Sequence, residues 1–393
     1  MKRYLLAAVT ALVALLGAQP AGAVGARHQA PAASVFVESD RPIHGIAADG
    51  EVVFVTQPAI EPGAASRVVV LDGRTGAEIG ELPSPPGGFR FPFALRVSEK
   101  GRVAVLDNAG FPPQGAPKIY EYRYTARKGL LRTARERTID FTGLPLLFAE
   151  DLEVLPEGGY VVSESVIGGL WLVSASGHIR PGLFPEGPAP LPQLAGCAHP
   201  PESLMVGDLP FTPIGGFAPG VGSLAIGGDD LFFGSSCLGG LHRISLDALT
   251  ETDRPAAKRA QMVETVSPRP AGTVFESLKG LTVEKWRRGE NWIYAGDPFQ
   301  LQLIRINSRT GERQVLSDDE RLFNFPVAAT FTRHSNAQGR SELLVASDQE
   351  YRWTGLNSAL DRDAFERPFL ITEFRPGQDL PLHARDGSKA AKR

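Results

Sequence analysis

In the stretch SLKGLTVEKWRRGENWIYAGDP, Ser277 to Pro298, Lys279 stands just ahead of one apolar run and Asp297 just after the next. An ammonium and a carboxylate at the two ends of a strand pair can form a general acid/base couple, an ion pair, or a holder for a charged group of a ligand. Ionisable, polar or aromatic residues stand at the same two positions of other strand pairs. At the starts are His44, Phe93, Glu150, Ser223, Lys279 and Phe325; at the ends are Gln57, Asp107, Asn108, Glu164, Ser235, Asp297 and Asp348. Chemistry follows only if the fold brings these positions to one place.

The elements that must do so repeat along the chain. IHGIAADGEVVFVTQ leads to SRVVVLDGRTGAEIGEL, and FALRVSEKGRVAVLDN to PKIYEYRY. AEDLEVLPEGGYVVSES leads to GGLWLVSASGHIRPGL, and VGSLAIGGDDLFFGSS to GGLHRISLDAL. LKGLTVEKWRRGENWIYAGD leads to LQLIRINSRTGERQVL, and FPVAATFTRHSNAQGRSELLVASD runs towards FLITEFRP. Each unit reads strand, tight turn, strand, loop, strand, with a further strand in most, and the starts recur at intervals of roughly 45 to 75 residues. Units of four strands at this period predict an all-β fold, a six-bladed β-propeller with four-stranded antiparallel blades. A β-sandwich does not account for units of like internal grammar. In a propeller the starts of the inner strands and the ends of the second strands open on one face around a central channel. Lys279 is therefore expected to point at a channel lined with carboxylates.

The remainder of the chain bounds the setting. Met1-Lys2-Arg3, the apolar run from Tyr4 to Gly17 and Ala21-Gly22-Ala23 read as a secretory signal peptide over 1–23, followed by a flexible segment 24–34. The propeller is expected over 35–377, with a flexible tail over 378–393. The mature protein is expected to be secreted or periplasmic, with no membrane attachment and as a monomer. Loss of Lys2 and Arg3 with the leader takes the formal charge from −3 to −5, which argues against nucleic acid and for a small-molecule ligand. The two cysteines, Cys197 and Cys237, permit one disulfide or two buried thiols; in an oxidising compartment the bond is the expectation. No His/Glu spacing matches a zinc site, and no Gly-x-Ser-x-Gly elbow occurs.

The strand grammar resembles the superfamily of SMP-30/gluconolactonase and the paraoxonases. AEDLEVLPEG is similar to the paraoxonase segment whose glutamate holds a catalytic calcium. Over a longer span, FALRVSEKGRVAVLDNAG with PPQGAPKIYEY, SLAIGGDDLFFGSSCLGGLHRISLDAL, and LKGLTVE through RQVLSDDERLFNFP resemble the major royal jelly/yellow protein family. The likeness covers most of 40–375 and rests on the order of its motifs. It implies a functional channel with Glu150 as an acid/base or cation ligand. The sequence departs from the calcium pattern elsewhere. Ser223 stands where relatives carry asparagine, Lys279 where they carry the aspartate of Asp-Gly-Leu, and Val327 where the royal-jelly family carries aspartate. An ammonium in a ligand position repels a divalent ion.

These resemblances imply three functions, taken as expectations. The first is metal-free acid/base isomerisation, tautomerisation or cyclisation of the dopachrome-conversion type, with no cofactor. Glu150 or Asp297 would move the proton and Lys279 would hold an enolate oxygen. His44, Phe93, Asp107, Asn108, Glu164, Ser223, Phe325 and Asp348 would bind substrate, with Trp353 available for stacking. The second is calcium-dependent lactone or aryl-ester hydrolysis, with Glu150 and Asp297 as metal ligands. The third is non-catalytic binding of an amine.

Overall fold

Six four-stranded antiparallel sheets stand around one axis in the computed structural model. It describes residues 33–376 apart from 62, 99–100, 111–112, 128–129, 199–203, 252, 285–291 and 336–340. The expected signal peptide, the segment up to 32 and the tail from 377 lie outside the described residues. Blade 1 comprises Ile46–Asp49, Val52–Gln57, Arg67–Asp72 and Glu78–Glu81, and blade 2 begins at Phe91–Ser98. Blades 3, 4 and 5 begin at Ala149–Val154, Val221–Gly227 and Lys279–Glu284. Blade 6 takes three strands from the C-terminal part, Pro326–Ser335, Ser341–Ser347 and Phe369–Phe374, and its outermost strand, Ala33–Ser39, from the other end of the chain. That strand runs antiparallel to Phe369–Phe374 and joins the first blade to the last, so the ring closes by main-chain hydrogen bonds. The repeats alone did not assign this strand to a blade.

The core is a set of six wedges, one between each pair of neighbouring blades. Val161, Leu172, Leu224 and Phe233 fill the wedge between blades 3 and 4. Val53, Val55, Leu344 and Ala346 fill the one between blades 6 and 1. Because each blade has a neighbour on both faces, its inner strands are apolar on both sides; Val52–Gln57 is buried throughout. This is why the second strands read as continuous Val/Leu/Phe runs without polar alternation.

Polar groups also tie the blades near the axis. The Asn108 side-chain amide donates to the Ala149 carbonyl at 2.8 Å, and its oxygen accepts from the Ala149 amide at 3.1 Å. Arg96 of blade 2 donates to Asp151 and Glu153 of blade 3, each at 2.9 Å, and to the Leu224 carbonyl of blade 4 at 3.2 Å. The Asp151 carboxylate in turn accepts from the Leu224 amide at 2.9 Å.

Asn108 is fully buried, so Asn108→Leu would leave both backbone groups of Ala149 without a partner. A loss of about 2–4 kcal/mol is expected, at roughly 1–3 kcal/mol for each buried group left unpaired. Urea denaturation followed by tryptophan fluorescence measures it; an unchanged midpoint would mean that the clip carries no stability.

Candidate functional site

The residues at the channel mouth are aimed by irregular backbone. In blades 2 to 6 the pairing of the innermost strand with its neighbour slips at the mouth. The slips fall between Pro92 and Ala94, Ala149 and Leu152, Val221 and Leu224, Lys279 and Thr282, and Pro326 and Ala328. A bulge re-aims the side chains next to it, and Phe93, Glu150, Ser223, Lys279 and Val327 lie at these slips. His44, Phe93, Glu150, Ser223, Lys279 and Val327 line a narrow axial channel of about 30 Å³. Gly280 has φ +58°, and a Cβ there would lie 2.5 Å from Ala328 Cα, so the bulge beside Lys279 requires glycine. Ser223 Oγ accepts from the Gly280 amide at 3.0 Å and thereby holds the bulge.

Lys279 forms an ion pair with Glu150 from across the channel, and not with Asp297 at the other end of its own strand pair. Burial pushes the Lys279 ammonium down, while Glu350 and Asp348 favour its charge. Behind it lies a second cluster. His44 Nδ1 is 2.7 Å from Asp348 and 3.2 Å from Glu350, and the imidazole stacks on Phe93 at 3.6 Å between ring centroids. Burial opposes the imidazolium, but Glu350 and Asp348 outweigh it and push His44 up to about 9. Burial and the Glu350 charge push Asp348 up to about 8. Burial also acts against the Glu350 charge, yet His44 and Lys279 hold that carboxyl below its ordinary range. Two cations and two carboxylates thus balance at the axis when Asp348 carries a proton.

Above this floor opens a pocket of about 480 Å³. Among the described residues eight phenylalanines line it, including Phe91, Phe93, Phe148, Phe211, Phe299 and Phe325, with Trp353. Glu150, Lys279 and Glu350 are its charged groups, and Ser165, Ser236 and Ser277 add hydroxyls. The Phe299 ring meets Phe275, Phe211 and Phe325 edge-on at 4.5, 5.1 and 5.5 Å. Part of the wall comes from the long connection between blades 3 and 4, which brings Phe211, Pro213, Ile214 and Phe217 over the channel. The Cys197–Cys237 disulfide, with 5.6 Å between Cα atoms, fastens that connection to the end of blade 4 beside Ser236.

Several residues expected at the site serve the scaffold. The Asp107 carboxylate accepts from the Arg90 and Phe91 amides, and burial pushes it up to about 6. Asn108 is the inter-blade clip described above. Glu164 accepts from the amides of Phe148, Val166, Ile167 and Gly168. Asp297 accepts from the Gln300 amide at 3.3 Å; burial and the Glu276 charge push it up to about 7. None of these four lines the pocket or the channel. The reason is common to all: the chain turns sharply where a second strand ends, and the carboxylate or amide there is used by loop and neighbouring-blade backbone groups. Asp348 also caps its own turn, accepting from the Glu350 amide at 3.1 Å, but keeps its other oxygen for His44.

Glu350 and most of the pocket phenylalanines were not singled out from the sequence. The spacing of Asp348 and Glu350 was a usable signal, since a turn after a second strand can turn both side chains to one side. So was the excess of phenylalanine over tyrosine, 21 against 7.

The fold and the axial site define a six-bladed propeller with a chemically equipped channel mouth. Solved structures of similar fold include a PQQ-bound aldose sugar dehydrogenase from Streptomyces coelicolor, at TM-score 0.50 and 14% identity, covering 88% of this chain and 98% of that one. They also include a putative oxidoreductase (glucose dehydrogenase) from Thermus thermophilus, at TM-score 0.50 and 12% identity, covering 88% and 100%. A luciferin-regenerating enzyme matches at TM-score 0.50 and 11% identity, covering 88% and 96%. At these identities the likeness is one of fold. No family model matches the chain, and no curated protein matches it significantly. The royal-jelly/yellow resemblance thus rests on its motifs alone. Among the described residues no helix is long and apolar enough to cross a membrane.

The axial charges and the disulfide can each be tested through stability. The raised pKa of His44 contributes stability that is complete below the unfolded value near 6.5 and is lost as pH rises through about 9. The thermal-stability gap between wild type and His44→Gln should therefore be widest below about pH 6.5, shrink through neutrality and close as pH climbs past about 9; a gap constant from pH 6 to 10 would show that charge is not its source. The disulfide closes a separation of 40 residues, worth roughly 3–4 kcal/mol in the chain-entropy model. The double variant Cys197→Ser/Cys237→Ser should lose stability of that order in guanidinium unfolding and weaken binding of apolar dyes in the pocket.

Proposed function

We propose that this protein is an exported enzyme that binds a small, flat, largely apolar molecule in the phenylalanine-lined pocket and moves a proton within it. The observation that carries this reading is the Lys279–Glu150 pair at the floor of that pocket. A ligand resting on it meets one base and one fixed cation in a site walled by aromatic rings, where each electrostatic contact is stronger than in water. The Glu150 carboxylate would take a proton from carbon beside a carbonyl or imine. Lys279 would hold the oxygen that becomes negative, and the same carboxyl would return the proton at a second position. No atom is gained or lost, so the reaction class is isomerisation or tautomerisation. A cyclic or catechol-derived quinone has the required shape and acidity, in keeping with the dopachrome-type conversion implied by the sequence resemblance. The Glu350 carboxylate would favour the charged form of Lys279 as the oxygen develops its charge.

Calcium-dependent hydrolysis of a lactone or aryl ester is the second reading. The observation favouring it is that His44, Asp348 and Glu350 place ligand atoms within 4.8 Å of one another, next to Glu150 and Ser223. Calcium takes six to eight oxygens. Here one of the three groups is an imidazole, and Glu150 is already paired to an ammonium. The residues as they stand fit calcium only if Lys279 is displaced, so no step is assigned to the ion.

Turnover of aminochrome, quinone, lactone and aryl-ester panels with and without a chelator tests the choice. Chelator-resistant conversion of a quinone or aminochrome is expected. It should fall roughly 10²–10³-fold in Lys279→Met and roughly 10²–10⁴-fold in Glu150→Gln. Activity on an ester that disappears with chelator and returns with calcium would replace this reading by the second. Calcium titration of Lys279→Asp, which restores an oxygen beside Glu150, should show tighter binding than wild type.

A further inference from the structure

A larger cleft, about 690 Å³, lies on the same face of the ring but outside the channel, between blades 5 and 6. Its walls are the turn at 319–324, the segment 349–352, and Glu38 and Leu370 of the two outer strands of blade 6; Gly207 and Asp208 reach it from the long connection between blades 3 and 4. Tyr351 divides it from the phenylalanine pocket by stacking on Phe325 at 5.5 Å between centroids.

Two buried polar atoms on residues of its lining have no hydrogen-bond partner among the described residues. Ser347 is 1% exposed, and its Oγ is unpaired; so is the side-chain oxygen of Asn324. Buried polar atoms without partners are uncommon in folded proteins and call for an explanation, of which a bound group is one. The charge around them is unbalanced. Three arginines face five carboxylates in this lining. Arg352 is committed to Asp208 at 2.8 Å and Glu366 at 3.1 Å, Arg321 to Asp319 at 3.2 Å, and Arg367 to Glu61 outside the cleft. Glu38 and Glu320 have no ion-pair partner among the described residues.

We propose that this cleft is a second binding site, for a small organic cation bearing a primary ammonium group. An ammonium offers three N–H donors and no acceptor. Ser347 Oγ, the Asn324 oxygen and one free carboxylate are three acceptors without donors. A neutral polyol would satisfy the hydroxyl and the amide but leave the carboxylate excess uncompensated, and an anion would be repelled. The volume is far too large for a bare metal ion and suits an amine with an organic body, which would rest on Tyr351, Leu301 and Leu322. The cleft also backs onto the axial cluster. Gln349 lines it in the left-handed conformation, φ 59°, and is bonded to the Glu366 backbone. The residues on either side of Gln349, Asp348 and Glu350, turn the other way to meet His44.

Calorimetric titration with 1-aminobutane and 1,4-diaminobutane hydrochlorides, with N-butylacetamide as the uncharged counterpart, tests the proposal on the whole protein. Saturable one-to-one binding of the amines is expected, with none for the amide. It should weaken roughly tenfold in about 0.5 M salt, where exposed charges are screened. Ser347→Ala and Glu320→Gln should each weaken it about tenfold, near the effect of one lost hydrogen bond to a charged group. Ser347→Ala removes a hydroxyl without a partner, so its thermal stability should match wild type and a loss of binding cannot be ascribed to unfolding. Glu150→Gln should bind the amines as wild type does. Binding that is lost in Glu150→Gln and kept in Ser347→Ala would place the cation in the channel and overturn the proposal. So would the absence of saturable heat, or equal binding of N-butylacetamide.

Discussion

Convergence at the axis constrains everything else in this structure. Six inner strands approach one line, and the backbone there has almost no lateral room. A Cβ on Gly45 would lie 2.6 Å from the Phe93 carbonyl oxygen, and one on Gly280 would lie 2.5 Å from Ala328 Cα. A regular strand would carry its pleat through this crowding. Instead the pairing slips at the mouth of five blades, and each slip alters the direction of a side chain near the axis. The functional face is built from the irregularities that let the ring close.

Once Lys279, Glu150, His44, Asp348 and Glu350 are gathered by that closure, burial makes them interdependent. Each would be costly to ionise alone so far from solvent. Together, two cations against two carboxylates and one protonated carboxyl make a set that can be dry. The groups come from blades 1, 3, 5 and 6, so the charge balance also helps register four blades around the axis. The same balance opposes the push that burial exerts on the Lys279 ammonium towards neutrality, and a positive charge beside a base is what proton transfer at carbon requires.

The pocket above the floor is governed by a different force. Phe148, Phe275, Phe299 and Phe325 are supplied by loops, which surface position ordinarily makes polar, and Phe211 and Phe217 by short strands of the connection between blades 3 and 4. Here the disulfide and the aromatic contacts hold the connection between blades 3 and 4 against the ring, so its apolar side chains can stay in place without a blade strand beneath them. Ring-on-ring contacts at 4.5 to 5.5 Å give such a wall a definite shape. Selectivity for flat ligands would follow from that shape, and reactivity from the charged floor.

The propeller was legible in the sequence because strand periodicity and turn residues are local and each unit repeats the same grammar. The same grammar placed His44, Phe93, Glu150, Ser223 and Lys279 at equivalent positions, since a start is a start in every blade. The pairing of Cys197 with Cys237 was one of two outcomes open in the sequence, and the fold supplied the proximity. The direction of side chains at the second-strand ends was not legible. Asp107, Asn108, Glu164 and Asp297 look like channel groups in the repeat, but their oxygens are taken by backbone amides brought near by turns and neighbouring blades. Glu350 joins the site through a turn whose path no repeat encodes. Ala33–Ser39 finds its partner at the far end of the chain, a contact that no local pattern can specify. Local chemistry sets which residues stand at a strand's ends; the path of the turns and the closure of the ring set where they point.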